Sequence, residues 1–219
     1  MQCWGHWQCL RAANPGGNLL ELNFCWSPDG TRLLYTNSSK LYSIQQDGTG
    51  LRLIATAPAG QNFITCDWTE QGDAIVARTT GNFNFNSQIY ILNGEGVVLQ
   101  RVIDDELGSL GGAEFSINGN YLLYTQDVSG FESADGRQLN ARIFMYDLTT
   151  FTTTDLSTGK PAGTNDLDAH FSPDGSRVIF VNTNNDGISP KDIYVLEIDD
   201  TVLNKRTLLF ENAEMPEWR

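Results

Sequence analysis

Apolar residues recur along the chain in short runs separated by Gly, Asn, Asp and Thr, without the 3.6-residue period of an amphipathic helix. Runs of this kind predict short strands joined by turns. Four segments share one local pattern: Phe24-Cys25-Trp26-Ser27-Pro28-Asp29-Gly30, Cys66-Asp67-Trp68-Thr69-Glu70-Gln71-Gly72, Ala113-Glu114-Phe115-Ser116-Ile117-Asn118-Gly119 and Ala169-His170-Phe171-Ser172-Pro173-Asp174-Gly175. In each, an aromatic stands four residues before a glycine, and five residues after that glycine come Tyr35, Ala77, Tyr124 and Phe180. A third element is centred on Leu41-Tyr42, Ile89-Tyr90, Ile143-Phe144 and Ile193-Tyr194, and a fourth closes each unit.

The leading aromatics fall at 26, 68, 115, 171 and 218, a repeat of 42 to 56 residues. Four short strands per unit at such a period predict an all-β propeller, one four-stranded blade per repeat. Ser-Pro-Asp-Gly is a turn by mechanism: Pro presets φ, Asp bonds its own backbone, and Gly accepts positive φ. Four complete blades are expected at about 22–58, 63–104, 112–157 and 166–212, with the first strand of a further unit at 214–219. Residues 1–21 form a separate N-terminal segment whose Trp7–Leu10 and Leu19–Leu20 offer strand material for an incomplete blade. Two readings stay open. Either both termini build one composite fifth blade, or four blades belong to a larger propeller whose open edges would drive self-association.

The Phe/Trp-Ser-Pro-Asp-Gly turn, the following Leu33-Leu34-Tyr35 or Val178-Ile179-Phe180 strand and the later Ile-Tyr resemble the WD40-like repeats of TolB-type propellers. Lys40-Leu41-Tyr42-Ser43-Ile44 and its Asp47-Gly48 turn match the same pattern, and the resemblance covers roughly 22–219. Units one and four match well, whereas two and three lack the Pro-Asp of the turn. The resemblance implies a bacterial, periplasmic or otherwise extracytoplasmic scaffold. It also admits the propellers of serine peptidases and of polysaccharide lyases, the latter with a metal on channel histidines.

Composition narrows the partners. The 219 residues carry 27 acidic against 14 basic side chains, a net charge of −13. That balance argues against nucleic acid and anionic membrane, which both need cationic surface, and no stretch has the apolar length of a membrane span. Met1–Leu10 has neither a basic n-region nor an apolar run of signal-peptide length. Of the four cysteines, Cys3 and Cys9 are near enough to pair, while Cys25 and Cys66 sit in strand-like contexts that suit buried thiols. No CxxC spacing marks a zinc site.

Catalytic motifs are missing. The sequence has two histidines, His6 and His170, and neither a Gly-x-Ser-x-Gly elbow nor an HExxH pair. Ser157 and Lys160 have SxxK spacing without companion motifs and read as the loop leaving the third blade. Asn182–Gly187 imitates the first half of a calcium loop, but Ile193 stands where a bidentate Glu is needed, so a hairpin turn is the better reading.

Two sets of residues suit binding. The residue before each leading aromatic is Cys25, Asp67, Glu114, His170 or Glu217, and the first strand of every blade lines a propeller's channel. A ring of Asp67, Glu114, His170 and Glu217 suits a divalent metal such as calcium, a cationic ligand, or ordered water. The second set lies on the loops between second and third strands, which lengthen in units two to four at Thr79–Gln88, Gln126–Ala141 and Asn182–Asp192. Phe83, Asn84 and Phe85 on the first of these, with Phe131 and Arg137 on the next, offer aromatic faces, amides and a cation to a peptide or a sugar. The expected function is a non-catalytic scaffold that binds a protein or peptide through this loop face. The alternative is the propeller of a carbohydrate-active enzyme or serine peptidase, with a ligand or metal in the channel.

Overall fold

The computed structural model describes residues 24–81, 87–103, 108–131, 133–134, 137–198 and 205–218, with the backbone alone at 12–13, 19–20 and 65–66. The turn that punctuates the sequence closes identically in all four units. The amide of Gly30, Gly72, Gly119 or Gly175 donates to the carbonyl three residues back at 2.8 Å, and each glycine sits at φ between 70° and 72°, a left-handed backbone that a Cβ would strain. In units one and four the Ser27 and Ser172 hydroxyls donate to Asp29 and Asp174 at 2.6 Å. Units two and three keep this device without Pro-Asp: Thr69 donates to Asp73 at 2.6 Å, and Ser116 to Asn118 at 2.8 Å. An oxygen acceptor near the turn is what the geometry needs, and proline is dispensable.

Each of these turns joins the first two strands of a four-stranded antiparallel sheet, and four such sheets occur among the described residues. Blade one comprises β3 (Phe24–Trp26), β4 (Arg32–Asn37), β5 (Lys40–Gln45) and β6 (Arg52–Thr56). Blade two comprises β7 (Gln61–Trp68), β8 (Ala74–Gly81), β9 (Gln88–Asn93) and β10 (Val98–Arg101). Blade three comprises β11 (Leu110–Phe115), β12 (Tyr121–Asp127), β13 (Ala141–Asp147) and β14 (Thr152–Asp155). Blade four comprises β15 (Thr164–Phe171), β16 (Arg177–Asn184), β17 (Lys191–Glu197) and β18 (Arg206–Phe210). A two-residue pair, β1 (Ala12–Ala13) with β2 (Leu19–Leu20), precedes them. Each sheet runs in chain order from its first strand to its fourth, the meander of a propeller blade. The protein is an all-β propeller. Among the described residues no helix is long and apolar enough to cross a membrane.

The core lies between blades. Leu34, Leu41 and Ile54 of blade one meet Phe63, Ile75 and Leu92 of blade two, with Cys25 a buried thiol among them. Val76, Ile89 and Ile91 meet Leu110, Phe115 and Leu122 across the next interface, and Leu123 and Ile143 meet Val178 and Phe180 across the third. The recurring aromatics explain themselves here. Trp68, Phe115 and Phe171 each pack on the preceding blade, and Trp218 takes the same place against Ile179, Val181 and Ile193 of blade four. Residues 213–218 around it are outside any strand, and Arg177 lies over the Trp218 ring at 4.9 Å.

The β9–β10 hairpin of blade two presses against blade one at Gly96. A Cβ there would come within 1.8 Å of the Ile54 carbonyl oxygen, and φ is +84°. Backbone cannot yield as a side-chain tip does, so Gly96→Ala is expected to cost at least about 2 kcal/mol in urea denaturation. A loss below about 0.5 kcal/mol would show that the hairpin is not seated on blade one as described.

Candidate functional site

The inner strands of blades two, three and four depart from regular pairing before they reach their leading aromatics. Bulges fall between Phe63 and Thr65 on β7, Gly111 and Glu114 on β11, and Leu167 and His170 on β15. A bulge re-aims the side chains that follow it, and those residues are Asp67, Glu114 and His170 of the expected ring. The Phe115 amide donates to Asp67 Oδ2 at 3.1 Å, and the Phe171 amide donates to Glu114 Oε1 at 2.5 Å. Each carboxylate therefore ties its own blade to the backbone of the next. Glu114 Oε2 also holds His170 Nδ1 at 2.8 Å, and His170 Nε2 lies 3.3 Å from Asp168 Oδ1.

The electrostatics of this chain are unusual. Burial, then the charge of Glu114, lift the Asp67 carboxyl to about 7, against the opposing hydrogen bond from the Phe115 amide. Burial disfavours a charge on His170, but the hydrogen bonds to Asp168 and Glu114 and their negative charges outweigh it and raise the imidazole to about 10. At neutral pH His170 is an imidazolium donating from both nitrogens.

Asp168 was invisible as a candidate in the sequence. It sits at φ +51°, where the matching position of blade three is Gly112 at φ +52°. Asp tolerates this left-handed conformation better than most residues, and adopting it carries the carboxylate to His170. Aligning Leu110–Phe115 with Asp166–Phe171 exposes the exchange: a glycine that needs the bulge conformation in one unit is an acid in the other. Of the expected ring, Glu114 and His170 meet directly and Asp67 reaches the Phe115 amide beside Glu114, while Cys25 lies in the hydrophobic layer and Glu217 is exposed on the segment after β18. Among the described residues no group of three or more His, Cys, Asp or Glu has the geometry to hold a metal ion.

The long loops of blades three and four brace one another. Buried Asp127 accepts the amides of Ser129, Leu139 and Asn140 and so fixes both ends of the 128–140 loop. Arg137 Nη1 donates to the Asp186 carbonyl at 2.6 Å, and Asn185 donates to the Leu139 carbonyl at 3.1 Å. Asp186 in turn accepts the amides of Ile188 and Ser189, closing the hairpin that the sequence suggested over Asn182–Gly187. Arg137 is thus a brace between loops. From this frame Phe131 and Ile188 project with 73% and 89% of their surface exposed. An open cleft of about 300 Å³ beside the second loop is lined by Asn184, Ser189, Asp192 and Asn212 among others. Phe83, Asn84 and Phe85 lie outside the described residues. Ile188 escaped notice in the sequence because a lone apolar residue in a polar turn carries no periodic signal.

Ser157 and Lys160 are structural. The fully buried Ser157 hydroxyl donates to Asp166 Oδ2 at 2.6 Å, and Lys160 Nζ donates to the Thr164 carbonyl.

No protein-family model matches this sequence, and no curated protein matches it. Among solved structures the chain is similar to TolB from Acinetobacter baumannii, with 17% identity and a TM-score of 0.65 over 88% of this chain and 43% of that one. It is similar to an oligogalacturonate lyase in complex with manganese, with 13% identity and a TM-score of 0.62 over 89% of this chain and 53% of that one. A chain of a nidogen/laminin complex aligns at 14% identity and a TM-score of 0.61, over 87% of this chain and 65% of that one. The chain spans about half the length of the first two. At these identities the likeness is one of fold, that of a β-propeller.

Proposed function

We propose that this propeller is a non-catalytic scaffold that binds a protein or extended peptide on the face built by its long second-to-third-strand loops. The reading rests on one observation: two apolar tips, Phe131 and Ile188, are held exposed on loops braced by Asp127, Arg137 and Asn185. Holding large apolar side chains in water on a rigid frame is how a surface is pre-organised for a partner, because little ordering entropy remains to be lost on binding. Amides and hydroxyls in the adjoining cleft supply hydrogen-bond partners for a peptide backbone. The nidogen/laminin structure contains a chain of this fold in a protein complex, which lends the reading precedent. An extracytoplasmic location accompanies it through the resemblance to TolB-type repeats.

The alternative, a channel site for a metal or a sugar acid, is less well supported. Both His170 nitrogens already lie against carboxylate oxygens of Glu114 and Asp168, and Asp67 and Glu114 each accept a backbone amide of the next blade.

The test is selection of displayed peptides against the wild-type chain, followed by titration of the winners against Phe131→Ala/Ile188→Ala. Affinity is expected to fall by about tenfold or more, with less than a ~2 °C change in melting temperature. Winners that bind the variant equally well would move the site elsewhere. A screen in which glycans bind and peptides do not would replace the peptide reading with a carbohydrate one. Phe83→Ala/Phe85→Ala extends the same comparison to the blade-two loop on sequence grounds.

A further inference from the structure

The cleft beside the blade-four loop is charged on one side and opens next to an apolar tip. Its lining includes Asn184, Ser189, Pro190, Asp192, Glu211 and Asn212, and Ser189 and Pro190 directly follow the exposed Ile188. At about 300 Å³ it has room for one long side chain. The charges around it do not cancel. Lys191 is spent on Glu214, which lies outside the lining. Arg137 crosses over Gly187 to the Asp186 carbonyl. Asp192 and Glu211 remain. One oxygen of Asp192 accepts the Asn212 amide at 3.0 Å, and neither carboxylate has an ion pair among the described residues. None of the described residues lining the cleft is cationic.

We propose that this cleft is a subsite for a lysine or arginine side chain, and that the partner of the long-loop face is an extended segment with a basic residue within two positions of an apolar one. The inference rests on the reading of that face as a peptide-binding surface and names the chemistry of its ligand. In an extended chain alternate side chains point the same way. An apolar side chain laid on Ile188 therefore directs its neighbour on that side toward Ser189, Pro190 and the cleft. There Asp192 and Glu211 meet the cation from a concave wall, where water screens them less than on an open surface. The Asn184 and Asn212 amides and the Ser189 hydroxyl supply hydrogen bonds around it. An acidic segment would bring like charge against both carboxylates, so the same wall that attracts one class of partner rejects the other.

A second open cleft shows the contrast. It is lined by Thr31, Arg32, Gln45, Gln46 and Asp47 on blade one, and there a guanidinium stands in the same lining as the carboxylate. That cleft holds its own countercharge and selects for neither sign. The blade-four cleft lacks one, and it adjoins the apolar surface that the loop face already exposes.

The experiment selects displayed random peptides against the wild-type chain and titrates the winners by fluorescence anisotropy. Winners are expected to carry Lys or Arg within two positions of an apolar residue. Asp192→Asn/Glu211→Gln keeps an oxygen for the Asn212 amide and removes both charges. It should weaken the winners about tenfold and flatten their loss of affinity between about 50 and 300 mM NaCl. Glu70→Gln/Glu197→Gln removes the same charge at the opposite end of the strands, in the β7–β8 turn and across from Arg177. It should change affinity by less than about twofold. Thermal melts of both variants report that the blades are intact. Winners without Lys or Arg that still need Phe131 and Ile188 would overturn the cationic subsite and leave the loop face standing. Basic winners indifferent to Asp192→Asn/Glu211→Gln, or weakened as much by Glu70→Gln/Glu197→Gln, would overturn it as well. A selection that yields no winners would overturn both readings.

Discussion

Replacing Arg206 with leucine is expected to lower stability by about 3–5 kcal/mol in urea denaturation at pH 7. The magnitude follows from what Arg206 leaves behind. Asp166 is fully buried, and its carboxylate takes Arg206 Nη1 and Nη2 at 2.8 and 2.7 Å. Its other partners are neutral: the Ser157 hydroxyl at 2.6 Å and the Asn182 amide at 2.8 Å. Removing the guanidinium strands a charge in the interface between blades three and four. The variant also loses the stacking of that guanidinium over Phe180 and Tyr194, at 4.8 and 5.2 Å.

Removing both charges should cost much less than removing one, because a buried pair gains little over a well-packed apolar replacement. Asp166→Asn/Arg206→Met is therefore expected to recover more than half of the loss, and the difference measures the coupling. A single variant within about 1 kcal/mol of wild type would show that Asp166 finds water or another donor. The consequence reaches the loop face. Asn182 begins the strand end that carries the Ile188 hairpin, and Asn165, beside Asp166, donates to the Gln138 carbonyl at 2.8 Å and accepts the Ala141 amide. Loosening this interface should loosen the brace that holds Phe131 and Ile188 in place.

Repetition made the fold legible, and the lack of it hid most of the site. An aromatic, a turn glycine and a hydrophobic second strand recur because every blade must seal against its neighbour, so four instances confirm one another. The same register placed Asp67, Glu114 and His170 in equivalent positions, and these are the residues that tie adjacent blades. Their chemistry was not legible, because it depends on bulges that turn each carboxylate toward a backbone amide of the next blade. Asp168, Asp127 and Asp166 occur once each in their environments. A buried acid in a loop-rich sequence looks like any turn acid until its donors are seen. Arg137 had the opposite fate: an apparently free cation in a polar loop proved to be a brace, since its partner is a carbonyl 49 residues away in the chain.

Asp67 and His170 should each lower stability as pH rises, Asp67 between about 4 and 7 and His170 between about 6.5 and 10, the reverse of the usual acid sensitivity. Asp67 is lifted from 3.8 to about 7. The folded state therefore binds more protons than the unfolded state between those values, and stability is lost as pH climbs through the window. His170 is raised from 6.5 to about 10. Its contribution is complete below 6.5 and disappears as pH rises through about 10, once the imidazolium that Glu114 and Asp168 hold has lost its proton. Turn carboxylates such as Asp29 and Asp186 are lowered by the hydrogen bonds they accept. They act in the opposite sense, but only as pH falls below the ordinary carboxylate value. Because the lowered turn carboxylates lose their contribution only below the range in which Asp67 begins to act, the maximum of stability is expected near pH 4–5. Asp67→Asn keeps an oxygen for the Phe115 amide and removes the titrating group, so at pH 8 it should be more stable than wild type by about 1–2 kcal/mol, or ~3–6 °C in melting temperature. At pH 4 the two proteins should coincide. His170→Gln should instead be less stable at pH 6 and converge on wild type near pH 10. Proton NMR of the His170 ring provides the direct check: an imidazole that loses its proton near pH 6.5 would remove the basis for the alkaline window, and a melting temperature that rises between pH 5 and 7 would remove the acid one.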